Sequence, residues 1–90
     1  IGPVGALDKA LRLALEKTYP GLREVGLRDY KVRILEGRKG TGAVTRVLVT
    51  TEDDDASWET LGVDANVIAA SWTALSEALV YGLLRSERRA

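Results

Sequence analysis

The sequence has neither cysteine nor histidine among its 90 residues. The absence of cysteine excludes disulfides and thiolate chemistry, and the absence of histidine removes the commonest general base and metal ligand. Acidic and basic side chains number thirteen each, so no net charge directs the chain toward nucleic acid or an anionic membrane. We therefore expect a protein that is not itself an enzyme and that needs no cofactor and no metal.

Targeting and membrane signals are also scarce. We expect no stretch long and apolar enough to span a bilayer, and residues 1–14 carry charges where a signal peptide needs an apolar core. Hydrophobic residues make up 46% of the chain, which suffices for the core of one small domain. The sequence therefore predicts one compact, cytoplasmic domain without a membrane partner.

A first helix is predicted to begin at Gly2 and Pro3, because the missing N–H of proline would be unpaired in a first helical turn anyway. Apolar residues then gather on one face and charged residues on the other, with Asp8 and Arg12 spaced for a surface ion pair. Pro20 disfavours helical geometry just before it, so the helix should end near residue 17 or 18.

Three antiparallel strands are predicted next from β-branched and alternating residues, at 28–35, 43–51 and 57–63. In the first strand, Tyr30, Val32 and Ile34 alternate with Lys31 and Arg33, the pattern of a strand with one wet face. The buried side of this strand is predicted to be the Tyr30 side.

The two turns between these strands contain residues that could serve a ligand site. The glycine-rich loop at 36–42 leads into a strand and not into a helix, so it fits a hairpin turn better than a phosphate-binding loop. The three aspartates at 53–55 lack the spacing of a calcium loop, so we interpret them as a surface turn. Trp58, in the third strand, is expected to anchor the core or an interface.

A long helix follows the third strand, with Asp64 predicted as its N-cap. Apolar residues recur along it at helical spacing, at Ile68, Trp72, Leu75, Leu79 and Leu83. We expect Trp72, Leu75 and Leu79 to form the centre of the core or of a helix–sheet contact, and Trp72, like Trp58, to anchor the core or an interface. The predicted fold class is α+β: a helix, a three-stranded antiparallel sheet and a helix, with both helices on one face of the sheet.

The double-stranded RNA-binding domain has the same order of elements. That module contacts phosphates with lysines at the start of its second helix, and such contacts dominate RNA affinity. The corresponding segment here, 62–67, contains an acid and no base. Three arginines near the chain end suit the dipole of a helix C-terminus and a frayed tail, at Arg85, Arg88 and Arg89. RNA binding is therefore the weakest alternative, and we expect no nucleic-acid partner.

Residues 2–7 echo residues 62–67, since each segment begins with glycine and leads into a helix. We expect residues 1–21 to be the helix left from a first βββα unit and residues 22–90 to be a complete second unit. A set of motifs spread over nearly the whole chain resembles one known family: Gly2-Pro3-Val4, Ala6-Leu7-Asp8, Asp29-Tyr30-Lys31-Val32-Arg33-Ile34-Leu35, Gly40-Thr41, Trp58-Glu59-Thr60-Leu61-Gly62-Val63, Asn66, Ile68, Ala70-Ser71-Trp72, Ala74-Leu75, Tyr81 and Leu83-Leu84. The family is that of the C-terminal regulatory domains of 2-isopropylmalate synthases and citramalate synthases, and the resemblance is strongest to the citramalate synthase type.

This resemblance implies a regulatory domain that forms a homodimer and binds the end-product amino acid of its pathway near the dimer interface. The implied effector is isoleucine or leucine, acting in feedback inhibition. The resemblance also implies that the parent enzyme has a catalytic TIM barrel upstream of this domain. That barrel would use a divalent metal to join acetyl-CoA to a 2-oxo acid. A purely structural association module is the alternative function.

An effector site can also be read from the residues. Unpaired N–H groups at a helix start attract a carboxylate, and this chain has two glycine-preceded helix starts. Asp64 could receive the ammonium group, and apolar neighbours could hold a branched side chain. Asp64 could equally cap its own helix, Gly62 could only supply backbone freedom, and Ile68 could be core. The predicted effector-binding residues are Gly2, Pro3, Val4, Gly62, Val63, Asp64, Asn66 and Ile68.

Overall fold

The computed structural model describes residues 2–36 and 42–89, apart from the side chains of Pro3 and Arg89. The elements, in chain order, are helix α1 (Gly2–Leu15), a short 3-10 helix (Pro20–Glu24), strands β1 (Gly26–Leu35), β2 (Val44–Glu52) and β3 (Ser57–Asp64), and helix α2 (Val67–Arg89). This order confirms the predicted α+β fold class. Residues 37–41, most of the predicted hairpin loop, lie outside the described residues.

The three strands form one antiparallel sheet in the order β1-β2-β3. Tyr30 lies opposite Val49, which in turn lies opposite Thr60 of β3. The β1–β2 register shifts between Leu27 and Asp29, and the strand begins at Gly26, two residues earlier than predicted. Because side chains alternate along a strand, this register assigns every residue to the helix-covered face or to the opposite face, called the outer face below.

Both helices cover the same face of the sheet, as predicted. Val4 of α1 is fully buried in a cluster with residues of β2 and α2: Val47, Val49, Ala70, Ala74 and Ala78. A second cluster joins the 3-10 helix to α2 through Leu22, Val25, Leu75 and Leu79, and three leucines of α1 pack against it. Asp8 and Arg12 form the predicted ion pair, with Nε of Arg12 2.9 Å from Oδ2 of Asp8, but not at the surface: the two side chains are only 16% and 18% exposed. Arg12 also faces the 3-10 helix, where its Nη1 donates to the Leu22 carbonyl at 2.9 Å.

The end of β1 differs from the prediction. Val32 and Ile34 lie opposite the buried residues Val47 and Thr45, yet they are 42% and 66% exposed. Helix α2 packs against β2 and β3, and α1 reaches β1 near Tyr30, whose hydroxyl lies beside Gly2. The Tyr30 side of β1 is therefore the helix-covered side as predicted, but it is covered only along part of the strand.

Helix α2 lies unusually close to β3. A Cβ atom on Gly62 would overlap the carbonyl oxygen of Ala70 and lie 2.8 Å from its carbonyl carbon. Thr60 Oγ1 donates a hydrogen bond to the Ala74 carbonyl at 2.6 Å, and Trp58 Nε1 donates one to the Ala78 carbonyl at 3.1 Å. The role of Gly62 in the fold is thus to let two backbones meet, not only to form a turn.

The predicted centre of the core was correct for Leu75 and Leu79, which are 1% and 3% exposed, and wrong for Trp72, which is 49% exposed. The face of α2 that meets the sheet consists largely of alanines and Ser71. A bulky indole could not fit where the helix backbone approaches Gly62 so closely. Trp72 consequently lies on a different face of the helix.

Residues 67–88 are long and apolar enough, by length and composition, to cross a membrane. This corrects the expectation that no such run exists. The apolarity has a structural cause in the fold, because α2 carries one apolar face against the sheet and a second apolar face away from it. About 39% of the stretch is buried inside the domain, so we interpret α2 as the core helix of this fold.

Candidate functional site

The turn from β3 into α2 contains three of the predicted effector residues. The Asn66 N–H donates to Asp64 Oδ1 at 2.9 Å, and Asn66 Oδ1 accepts hydrogen bonds from the N–H groups of Ile68 at 2.7 Å and Ala69 at 3.3 Å. Asn66, immediately before the first residue of α2, is therefore the N-cap. The prediction that Asp64 caps the helix is wrong, because β3 extends through Asp64 and the helix begins only at Val67.

Asp64, Asn66 and Ile68 are brought together at this turn, and all three are exposed. Asp64 pairs with Thr45 at the end of the sheet, on the helix-covered face. The Asn66 cap already occupies two N–H groups of the first helical turn, so an incoming carboxylate would compete with that side chain. The turn thus offers one exposed carboxylate and one exposed branched side chain, at 48% exposure for Ile68.

The other predicted site residues lie elsewhere. Val4 is 0% exposed and belongs to the core. Gly62 is buried under Ala70, and Val63 is 53% exposed on the outer face beside Arg46. Gly2 has a φ of 64° and lies beside the Tyr30 hydroxyl. The side chain of Pro3 lies outside the described residues.

A row of large apolar residues on α2, which we call the outward row, faces away from the sheet. Ile68, Trp72, Val80 and Leu84 are 48%, 49%, 57% and 50% exposed. Ser76 completes the row at its centre. Residues spaced by four form a ridge that is inclined to the helix axis, so this row turns by about 160° around the helix from Ile68 to Leu84. Shallow grooves border the row on both halves of the helix.

The outer face of the sheet has a different character. A groove there is lined by Lys31, Arg33, Arg46, Leu48 and Leu61, and also touches Val32, a residue of β1 that belongs to the helix-covered side. Lys31 pairs with Leu48 and Arg33 pairs with Arg46 across β1 and β2. Three cations thus surround an apolar centre.

A polar cluster ties the β2–β3 turn to the end of α2. Asp53 accepts a hydrogen bond from Arg85 Nε at 2.8 Å, and its side chain is only 2% exposed. The Arg85 guanidinium also lies 5.5 Å from the centre of the Trp58 ring, which makes an edge contact with Tyr81 at 5.2 Å. Arg85 is therefore a fixed part of the fold and not a frayed tail, and of the three aspartates only Asp54 and Asp55 are exposed.

The hydrogen bond from Arg85 holds the pKa of the Asp53 carboxyl well below its usual range, against the opposing effect of burial. The backbone N–H groups of Asp55 and Ala56 donate to Asp53 Oδ1, both at 2.9 Å, and lower this pKa further. The same hydrogen bond raises the pKa of Arg85. Both groups are charged at neutral pH, and the pair acts as a clasp between the sheet and α2.

Among the described residues, no group of three or more acidic side chains is placed to hold a metal ion. The exposed surfaces described above are the apolar row of α2 and scattered charges.

Residues 1–83 match the family of LeuA allosteric (dimerisation) domains. The chain belongs to this family. It is 61% identical over 85 residues to the (R)-citramalate synthase of Streptomyces coelicolor, a match that covers 94% of this chain and 16% of that protein. The (R)-citramalate synthases of Aquifex aeolicus and Geobacter sulfurreducens are 52% and 51% identical over 86 residues, or 96% of this chain and 16% of each relative. No solved structure matches the chain.

This LeuA dimerisation domain spans about 16% of the length of the synthases that it matches. The family resemblance drawn from the sequence is thereby confirmed. The identity with citramalate synthases extends over both helices and the sheet, so it concerns the whole described fold and not one motif.

Sequence reasoning missed two features of this LeuA domain. Periodicity places Ile68 and Trp72 on the same apolar stripe as Leu75, Leu79 and Leu83. The spacing of four from Ile68 through Leu84 is the signal in the sequence that separates the outward row from that stripe. The Asp53–Arg85 clasp joins residues 32 positions apart, and no local pattern predicts such a pair.

Proposed function

We propose that this domain binds a branched-chain amino acid, isoleucine or leucine, and so mediates feedback inhibition of a cytoplasmic citramalate synthase. The observation that carries the proposal is the match of residues 1–83 to a family of allosteric dimerisation domains, supported by the identity with (R)-citramalate synthases. On this proposal the chain is a non-catalytic part of an acetyl-CoA-dependent acyltransferase. The catalytic TIM barrel would belong to the remainder of the parent enzyme.

The proposed effector site centres on the turn at Asp64, Asn66 and Ile68. The exposed Asp64 carboxylate would pair with the ammonium group of the amino acid, and Ile68 would contact its branched side chain. Gly2, Pro3, Val4, Gly62 and Val63 stay in the proposal with supporting roles. The start of α1 offers the N–H groups of Gly2 and of residues after Pro3, which has none, to the carboxylate of an effector bound by a second copy, and the buried Val4 and Gly62 hold the two helix starts in place.

Regulation follows if the effector prefers one arrangement of the dimer. Coupling between an effector and a distant catalytic site is typically about 1 to 3 kcal/mol, or roughly 5- to 150-fold in affinity. A ligand at the β3–α2 turn contacts the helix that carries the exposed outward row, so its binding can change how two copies associate. This route needs no contact between the amino acid and the catalytic residues.

Titration calorimetry with L-isoleucine, L-leucine and, as a control, L-glutamate tests binding directly. We expect heat from one or both branched amino acids and none from glutamate. Asp64→Asn is the sharpest variant, because its amide oxygen can still accept the Asn66 N–H while the charge is lost. Asp54→Asn, at an exposed aspartate of the other turn, is the matched control. Equal affinity in both variants would contradict the proposed role of Asp64.

The exposed outward row favours one alternative, an association module without an effector. Calorimetry distinguishes the two functions. A dimer that gives no heat with any branched-chain amino acid, also when joined to its catalytic part, would establish the alternative and refute feedback binding.

A further inference from the structure

The outer face of the sheet separates acidic from basic side chains. Two acids lie on either side of Thr50 in one cross-strand row, Asp29 on β1 and Glu59 on β3. Two residues further along each strand, the next row holds one cation and two leucines: Lys31, Leu48 and Leu61. The row after that begins with a pair of arginines, Arg33 and Arg46. One end of the face is therefore acidic, and the rest of it is cationic.

The arginine pair is unfavourable for the sheet by itself. Arg33 and Arg46 are cross-strand partners, and like charges directly opposite each other destabilise a strand pair. Both arginines and Lys31 are exposed, and none of the three forms a salt bridge within residues 2–36 and 42–89. An anion bound between the two arginines would remove this repulsion.

The acids of the same face do not neutralise these cations. Glu59 accepts a hydrogen bond from Thr50 Oγ1 at 3.5 Å, and Asp29 Oδ1 accepts one from the Tyr30 N–H at 2.8 Å. Their contacts keep them in their own row. The positive charge of the neighbouring rows is therefore available to a ligand.

The three cations border a groove of about 570 Å³. Small-molecule sites typically measure about 300 to 1,000 Å³ and combine an apolar lining with a few polar groups. The apolar lining here is supplied by Leu48 and Leu61, and Leu61 is 41% exposed. A molecule in the groove would contact an apolar surface and cations at the same time.

The side chains around the groove select one class of anion. Each arginine presents a planar fork of N–H donors, and Lys31 adds an ammonium group nearby. A monocarboxylate has two oxygens and one charge, which a single guanidinium already matches. A phosphate monoester has three acceptor oxygens and a charge of about −1.5 to −2, so it can bind both arginines at once.

We propose that this groove binds an organic phosphate, with the phosphate group between Arg33 and Arg46 and the apolar body of the molecule on Leu48 and Leu61. This site goes beyond the proposed function. The effector turn at Asp64 lies on the helix-covered face of the sheet, whereas the groove lies on the outer face.

Phenyl phosphate is a suitable probe, because it joins a phosphate monoester to a flat apolar ring. We expect an NMR titration of the isotope-labelled chain, at low ionic strength where exposed charges are least screened, to show saturable shifts confined to the amides of the groove. Inorganic phosphate lacks the ring and benzoate lacks the second charge, so each should bind about 10-fold more weakly or worse. Equal affinity for all three, or shifts only at the β3–α2 turn, would overturn the proposal.

Arg46→Gln tests the contact with the phosphate group. We expect it to weaken phenyl phosphate binding about 10-fold or more, because charge-assisted hydrogen bonds are lost. Arg28→Gln is the matched control: it removes the same charge from the sheet, but Arg28 Nε lies 3.7 Å from Oε1 of Glu52, at the acidic end. Equal losses in the two variants would show that only net charge matters and would refute the site.

The unliganded variants test the repulsion between the two arginines. Arg46→Gln should melt no lower than wild type, because it relieves a pair of like charges. A lower melting temperature would contradict the repulsion on which the proposal rests.

Leu61→Thr tests the apolar contact and keeps a residue that favours a strand. We expect it to weaken the binding of phenyl phosphate several-fold and to leave the binding of inorganic phosphate unchanged. An equal loss for both ligands would mean that the ring does not lie on Leu61, against the proposal.

Phosphatidylglycerol vesicles distinguish a free organic phosphate from the phosphate of a lipid surface. We expect the chain to stay in solution with such vesicles. Co-sedimentation that Arg46→Gln abolishes, without shifts from phenyl phosphate, would assign the outer face to a membrane and overturn the proposal. Either result leaves the binding of isoleucine or leucine to be decided separately by calorimetry.

Discussion

The two faces of α2 differ in a way that hydrophobicity alone does not predict. The inward face, toward the sheet, is made of Ala70, Ala74 and Ala78, each 0% exposed, flanked by Leu75 and Leu79. The outward face carries the larger side chains of the row from Ile68 to Leu84. Small residues are buried and large ones are exposed because the helix backbone lies almost on β3. The distance between backbones, more than apolar character, decides which face is the core.

A second glycine supports this explanation. A Cβ atom on Gly82 would lie 2.9 Å from both methyl carbons of Val25 and 3.1 Å from the Trp58 ring. Gly62 and Gly82 thus permit close packing at two levels of the same helix. The comparison of the two faces can be tested by substitutions on each, beginning with the largest expected effect.

Gly62→Ala should be the most damaging single substitution. Its Cβ would overlap a backbone carbonyl that no rotamer change can move, so α2 would have to shift from the sheet. We expect a loss of roughly 4 kcal/mol or more of unfolding free energy, above the usual overpacking penalty of about 1 to 3 kcal/mol. Urea denaturation followed by circular dichroism measures it.

Gly26→Ala is the matched control, because nothing lies within 4 Å of the Cβ position there. We expect a change of at most about 1 kcal/mol, in the stabilising direction. Equal losses in the two variants would contradict the close-approach explanation of the inward face.

Leu75→Ala and Trp72→Ala compare the two faces directly. Leu75 is 1% exposed, so its truncation should cost about 2 to 5 kcal/mol. Trp72 is 49% exposed, and its truncation should cost about 1 kcal/mol or less when measured on the monomer at low concentration. A larger loss for Trp72 than for Leu75 would mean that the indole belongs to the core after all.

Trp58→Phe tests one of the two hydrogen bonds that side chains of β3 donate to carbonyl groups on the inward face of α2. The variant keeps an aromatic ring and loses the hydrogen bond from Nε1 to the Ala78 carbonyl. We expect a loss of about 1 kcal/mol, the usual net value of one such bond. Thermal unfolding measures the loss, and a stability equal to wild type would show that the bond contributes nothing.

Acid unfolding probes the clasp at the end of the same face. The folded-state pKa of Asp53 is depressed by Arg85, so the stabilisation is complete above the unfolded pKa of about 3.9 and is lost as the pH falls below it. Asp53→Asn keeps an oxygen for the two backbone N–H groups and removes the charge. We expect the melting temperature of this variant to fall less steeply between about pH 4 and pH 2 than that of wild type. If the melting temperatures of the two proteins fell in parallel as the pH is lowered, the Asp53–Arg85 pair would not contribute the stabilisation that we assign to it.

The sequence by itself determined the order of elements, the hydrophobic alternation of β1 and the family to which the chain belongs. These features rest on local periodicity and on motifs, such as Gly2-Pro3 at a helix start. The sequence predicts the N-cap of α2 two residues too early, at Asp64, whereas the structure has it at Asn66. Both residue types favour an N-cap position, and only the end of β3 decides between them.

Only the tertiary structure decided which apolar residues of α2 are buried. Periodicity placed Trp72 with Leu75 on one stripe, but the approach of α2 to Gly62 rotates the alanines inward and leaves Trp72 outside. The pairing of Asp53 with Arg85 and the exposed end of β1 at Ile34 also depend on contacts between distant segments. Local sequence constrains torsions and faces, whereas burial depends on the distance between packed backbones, which a single segment does not contain.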